Sequence, residues 1–182
     1  MRGEWTLSVR LDPFEASHFA PLIGWSRSAE ELFAWAGPSF SFPLDTDQLQ
    51  EHLAGSAAAR RLPFTACDEA GRPVGHLELA DVDPTQRCAY VVRGVVDPGV
   101  RRRGVGTAMM RAVLGIAFDE LDLHRVEARV FASSTAALAA WEACGFVREG
   151  QIRDARLLAG RFHDLIVTGI LEDEWRAAEG RS

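Results

Sequence analysis

The residues with the clearest capacity for chemistry lie in one run, VVDPGVRRRGVGTAMM, at positions 95–110. A β-branched strand ends at Asp97-Pro98, three arginines follow, and glycines stand at 104 and 106 where a helix begins. The first turn of a helix carries backbone N–H groups with no intrahelical partner, and the helix dipole favours an anion beside them. Glycine lets such an anion approach the main chain without a Cβ in the way. Arg101, Arg102 and Arg103 add charge-assisted donors. The run therefore reads as a phosphate seat built from arginine and backbone. It is neither of the two common phosphate loops: no Gly-Lys-Ser/Thr occurs, and Met109 stands where a dinucleotide fingerprint needs its last glycine.

Composition narrows the chemistry further. All 20 basic residues are arginine, and the 182-residue chain contains neither lysine nor asparagine. A lysine Schiff base is therefore excluded. The mundane source of this bias is a GC-rich genome. A net charge of −6 argues against sequence-independent nucleic-acid binding. No apolar stretch approaches the length needed to span a bilayer, and residues 1–14 contain no secretory apolar run. Cys67, Cys88 and Cys144 lack disulfide-like or ligand-like spacing, and the five histidines are scattered. The expectation is a reduced, cytoplasmic, metal-free protein.

The elements that must position the run follow from periodicity. Residues 5–11 alternate as an opening strand, which Asp12-Pro13 stops, with Asp12 capping a helix. Residues 14–53 read as helical and rich in aromatics (Trp25, Phe33, Trp35, Phe40, Phe42), with Asp45 or Thr46 capping a helix over 47–58. Runs 63–67 and 73–80 form a hairpin, and 88–96 is a strand. A helix follows over about 103–118, burying Val105, Met109, Ala112, Val113 and Ile116. Strand 126–131, an alanine-rich helix from Ser134 to Gly145, and strands 146–152 and 163–171 complete the pattern. Strand 88–96, the helix and strand 126–131 make a right-handed βαβ unit. The expected fold is α/β, one domain over 1–175, with a mixed, mostly antiparallel sheet flanked by helices; the polar end from Glu172 frays, and 176–182 is tail.

With Arg101-x-x-Gly104-x-Gly106 and the later SSTAALAAWEACGFVREG (133–150) in place, the chain resembles the GNAT superfamily of acyl-CoA-dependent N-acetyltransferases. The run GRFHDLIVTGILEDEW (160–175) is similar to the closing strand of branches that act on ribosomal-protein N-termini and small amines. The resemblance implies a bacterial acyltransferase that takes acetyl-CoA as cosubstrate and transfers acetyl directly to a primary amine or a peptide N-terminus. It implies that Val95 and Val96 pair with the pantetheine arm, with the Val96 N–H polarising the thioester carbonyl. Arg101, Arg102, Arg103, Gly104, Val105, Gly106 and Thr107 would hold the pyrophosphate. Two positions depart from the family pattern. Ser134 replaces an asparagine, and Trp141 stands where a tyrosine often protonates the leaving thiolate; indole N–H is a donor only. No general acid is assigned.

An alkylammonium with a pKa near ~10.4 must lose a proton before it attacks, so a carboxylate or imidazole is expected nearby. Glu78 and His76 share one face of strand 73–80 by two-residue alternation, and strand 126–131 offers Glu127. The order of preference for the base is Glu78, then His76, then Glu127. The acceptor pocket is expected between the aromatic N-terminal helices and the closing strands, with Glu31, Asp81 and Asp83 as further acidic groups. Two rival readings keep the fold: a different acyl-CoA donor, or a non-catalytic acyl-CoA sensor. A homodimer is compatible with the sequence; nucleic-acid and membrane partners are not expected.

Overall fold

In the computed structural model, residues 9–178 and 180 are described. Seven strands form one sheet in the order β1-β2-β3-β4-β5-β7-β6. They are β1 (Arg10–Pro13), β2 (Leu62–Cys67), β3 (Pro73–Asp83), β4 (Cys88–Val96), β5 (Arg125–Phe131), β6 (Val147–Leu158) and β7 (Arg161–Leu171). Only β4 and β5 run parallel; each other neighbouring pair is antiparallel. Helix α4 (Val105–Gly115) makes the crossover between β4 and β5, as a βαβ unit requires.

The two faces of the sheet carry different covers. On one, α4 sets Val105, Met109, Met110, Val113 and Leu114 against Leu77, Leu79, Ala89, Val91, Val126 and Ala128. The approach is close: a Cβ at Gly75 would collide with the Met109 sulfur, so the end of that side chain would have to shift. After Gly115 the helix widens into one π turn over Ile116–Glu120, which buries Ala117 and Phe118. On the other face, α1 (Phe19–Gly24), α2 (Ala29–Ala36) and α3 (Thr46–Ala54) bury Phe19, Leu22, Leu32, Ala36 and Leu49 with Phe14, Trp25 and Val95.

Three sequence expectations need correction. The strand expected over 5–11 lies partly outside the described residues, and its described portion runs through Asp12-Pro13 instead of stopping there. Asp12 caps no helix because Arg10 Nε and Nη2 hold its carboxylate at 2.6 and 2.8 Å; Glu15 takes the N-cap position. Pro13 is tolerated because β1 is an edge strand. The helix expected over 47–58 ends at Ala54, capped at its start by Asp45, whose Oδ1 accepts from the Gln48 N–H at 2.9 Å. Glu172–Ala178 does not fray: it forms α6, and Trp175 is 4% exposed, packed on Phe118 at a ring separation of 6.2 Å. One buried indole outweighs the polar residues around it.

Candidate functional site

The site begins where β4 and β5 part. Their parallel ladder runs from Cys88↔Arg125 to Val91↔Ala128 and stops, while β4 stays paired with β3 as far as Gly75↔Val96. The separation has a local cause. Two steps along β3, His76 to Glu78, oppose three steps of β4, Val95 back to Val92, so β4 carries an extra residue at Arg93-Gly94. Arg93 adopts φ 52°, and such a bulge bends its strand and re-aims the residues beyond it. It also reverses the side-chain alternation. Val91 faces α4, but Val95, four residues on, packs with the α1–α3 cluster.

The freed edge of β4 points into a cleft of 1140 Å³. The Asp97 N–H donates to the Val74 carbonyl of β3 at 2.9 Å, so by strand alternation the Val96 N–H points the other way, into the gap. Arg101 Nε donates to the Val96 carbonyl on that same side at 3.1 Å. The cleft continues to the N-terminus of α4, where Gly104 sits at the cap position with φ 84°, a left-handed conformation that suits glycine, and no side chain caps the helix. The first intrahelical bond is Ala108 N–H to the Gly104 carbonyl. The N–H groups of Val105, Gly106 and Thr107 therefore precede the helical ladder.

The expected cofactor residues are brought together with one exception. Val95, Val96, Arg101, Arg102, Gly104, Val105, Gly106, Thr107 and Ser134 all line the cleft; Arg103 does not, and is exposed. Ser134 opens α5 (Thr135–Glu142) without a side-chain cap bond, which leaves its hydroxyl available to the cleft. Trp141 lines the same wall and packs edge-on against Phe146 with ring centroids 5.0 Å apart.

The three candidate bases share the sheet face opposite α4, but none lines the cleft. Glu78 is fully buried. Its Oε1 accepts from His52 Nε2 at 2.8 Å and His76 Nε2 at 3.4 Å, and its Oε2 from Arg93 Nη1 at 2.9 Å. Burial pushes this carboxyl up, but the two imidazole hydrogen bonds and the Arg93 charge pull it further down, well below the usual carboxylate range. His76 is pushed down by burial, against the pull of Glu78, and stays neutral. Its ring meets Phe14 edge-on at 4.7 Å, and its Nδ1 has no hydrogen-bond partner. Glu127 accepts from Arg125 Nε at 3.0 Å.

Two members of this network escape sequence reasoning. His52 lies on α3 three residues after the buried Leu49, a spacing that marks the inward face. Arg93-Gly94 interrupts an otherwise apolar strand, which is a bulge signal. Arg93 also reaches the Ser39 Oγ from Nε and Nη2 at 3.2 and 3.0 Å, so it ties the bulge to the chain after α2.

The acceptor side is less aromatic than expected. Of the five rings named from sequence, Phe33 and Trp35 line the cleft; Trp25 is core, Phe40 packs on His52 at 4.9 Å, and Phe42 is exposed. Glu31 and Asp81 line the cleft. Asp83 does not, being held by Arg60 and by the N–H groups of Thr85 and Gln86. Tyr90, the one tyrosine, and Arg129 also line it, the guanidinium lying over the ring at 5.6 Å.

Residues 29–146 match the acetyltransferase (GNAT) family. YdaF of Bacillus subtilis, whose name assigns it to the ribosomal N-acetyltransferases, is 30% identical over 105 residues, covering 58% of this chain and 57% of YdaF. The chain thus matches little more than half of that relative's length. The L-amino acid N-acetyltransferase AaaT of Escherichia coli is 32% identical over 117 residues, covering 63% of this chain and 70% of AaaT. The spermidine N-acetyltransferase of Vibrio cholerae, solved in complex with CoA and spermine, superimposes with a TM-score of 0.81 at 20% identity, covering 92% of this chain and 98% of the other. No helix among the described residues is long and apolar enough to cross a membrane.

Proposed function

The chain belongs to the acetyltransferase (GNAT) family, and from that premise we propose that it moves the acetyl group of acetyl-CoA to a primary amine bound on the α2 side of the cleft. One observation carries the reading: the open edge of β4 and the uncapped N-terminus of α4 lie in a single continuous cleft. An extended amide-bearing arm fits the first as an added strand, and a pyrophosphate fits the second. Val95 and Val96 take the arm. The N–H groups of Val105, Gly106 and Thr107 take the phosphate oxygens with Arg101 and Arg102, and Ser134 closes the opposite wall.

In the reaction the ammonium gives up one proton, its nitrogen bonds to the thioester carbonyl carbon, and the C–S bond breaks with CoA leaving as thiolate. The second proton, lost from nitrogen as the amide forms, is taken up by that thiolate, through solvent, to give free CoA thiol. The Val96 N–H, pointing into the gap, donates to the carbonyl oxygen as charge develops there. Glu78 keeps its charge and holds Arg93, so its role in this scheme is to fix the β4 bulge that aims Val96. A carboxylate so strongly stabilised is a poor proton acceptor. His76 is neutral but enclosed by rings, and Glu127 is engaged by Arg125. Among the cleft-lining carboxylates, Glu31 already accepts from the Arg27 N–H at 2.8 Å, which leaves Asp81 as the group placed to take the ammonium proton.

The relatives' names span ribosomal, L-amino acid and polyamine acceptors. A small amine or a peptide N-terminus is the acceptor class proposed. The test couples binding to turnover. Acetyl-CoA should raise the melting temperature of the wild type, Gly104→Glu should abolish that rise, and an amine panel should reveal stoichiometric thiol release. An unchanged rise in Gly104→Glu would remove the pyrophosphate assignment.

A further inference from the structure

Two cations on the acceptor side of the cleft have no carboxylate partner among the described residues. On the exposed face of β5, Arg125 is bound by Glu127 and Glu149, and on β4 Arg93 is bound by Glu78. Arg129, two residues beyond Glu127 on the same face, has no carboxylate partner among the described residues; its contact is the Tyr90 ring at 5.6 Å. Arg156 also lines the cleft, its Nη1 bonded only to the Ala155 carbonyl. Against these two guanidinium groups stands one cleft carboxylate without a hydrogen-bonding partner among the described residues, Asp81, at the positive-φ bulge of β3. Register places Ala80, Tyr90 and Glu127 in a row across β3, β4 and β5, so Asp81 and Arg129 lie on opposite sides of Tyr90.

We propose that the acceptor is a zwitterion, an amine whose own or adjacent carbon bears a carboxylate, with Arg129 and Tyr90 seating the carboxylate and Asp81 the ammonium. The proposal rests on the acetyl-transfer reading and names its substrate class. A guanidinium presents a planar fork that matches carboxylate geometry, and the phenol supplies a further O–H donor. Asp81 and Arg129 stand two strand spacings apart across the sheet and three residues apart along it, so about 14 Å separates their main chains, a gap that the long Arg129 side chain and an α-amino acid together can span. The same charges disfavour a polyamine. Its second ammonium would face Arg129 or Arg156, and the other cleft carboxylate, Glu31, already accepts from the Arg27 N–H.

The experiment measures kcat and KM for L-phenylalanine, L-methionine and L-leucine, each beside the amine that its decarboxylation yields, with spermidine as a further acceptor. The wild type should prefer the amino acid over its decarboxylated partner by about 10–100-fold, the range of a charge-assisted hydrogen bond, mainly through KM. Arg129→Gln should erase that preference, and Arg129→Lys should restore part of it, both with the acetyl-CoA melting shift intact. Equal or better turnover of the decarboxylated amines or spermidine by the wild type overturns the proposal, as does a preference that survives Arg129→Gln. In those cases acetyl transfer itself stands. Failure of thiol release with every amine overturns both.

Discussion

Replacing Glu78 by glutamine tests whether the buried network, and not the carboxylate's basicity, is what matters at this position. The substitution keeps shape and removes charge. Arg93, whose side chain is 17% exposed, then loses its counter-charge, and two imidazole donors face an amide instead of a carboxylate. Removing one partner of a buried ion pair costs about 3–5 kcal/mol, because the remaining charge stays desolvated. For a chain of this size each kcal/mol lowers the melting temperature by about 2–4 °C, so Glu78→Gln should melt roughly 6–20 °C below the wild type. Function should fall with it, since the φ 52° bulge at Arg93 aims the β4 edge; the acetyl-CoA melting shift should weaken along with turnover. The assay is thermal and urea unfolding of wild type, Glu78→Gln, Arg93→Met and the double variant. Taking out both charges removes the orphaned cation, so the double variant should be more stable than the sum of the single losses predicts by about 0.5–3 kcal/mol. Strict additivity, or a Glu78→Gln protein that melts with the wild type and binds acetyl-CoA normally, would refute the network. Normal stability and binding with turnover lost would return Glu78 to the role of proton acceptor.

Other outcomes follow from the same structure. The folded-state pKa of His76 lies below its unfolded value, so the unfolded chain takes up the proton first; stability is full above about pH 6.5 and falls on acidification, by at most about 1.4 kcal/mol per pH unit for one proton. His76→Gln should flatten that slope between neutral pH and the onset of carboxylate titration, as urea midpoints across pH would reveal. The Glu78 contribution, from a lowered pKa, is present above about pH 4.5 and is lost only at more acid pH. Trp175→Ala should destabilise by about 3–5 kcal/mol in the same unfolding assay, because the indole is core and not tail; a loss near zero would return α6 to the status of an appendage. Trp141→Phe should keep turnover within a few-fold, whereas a drop of about 100-fold or more in steady-state kcat would mean that the indole N–H takes part in the chemistry.

The fold was legible where local pattern and tertiary environment agree. Cys88–Val96 carries β-branched Val91, Val92, Val95 and Val96 and occupies the expected bounds, and α4 buries Val105, Met109 and Val113 as its periodicity demands. Asp12-Pro13 misled because the same dipeptide serves a helix start and an edge-strand end, and only the Arg10 side chain decides between them. The proposed phosphate seat was readable because its residues, Arg101 to Thr107, are contiguous in sequence. The buried Glu78 network was only half readable: two-residue alternation put His76 and Glu78 on one face, but His52 comes from α3 and Arg93 from a bulge, 26 and 15 residues away in sequence. Alternation also says nothing about which face is covered by helices. Glu78 and His76 share a face with Tyr90 and Arg129, yet α1–α3 roof over the first pair and leave the second open to the cleft.

The function proposed for the cleft is acetyl transfer to an amine from a donor held between β4 and α4. Its most direct test is to incubate the protein with acetyl-CoA and the amine panel, following free thiol by absorbance and the acetylated amine by mass spectrometry in the same tubes. Thiol and N-acetyl product should appear in equal amounts, only when both substrates are present, and Gly104→Glu should stop both. A protein that binds acetyl-CoA tightly yet releases no thiol with any amine would contradict the account.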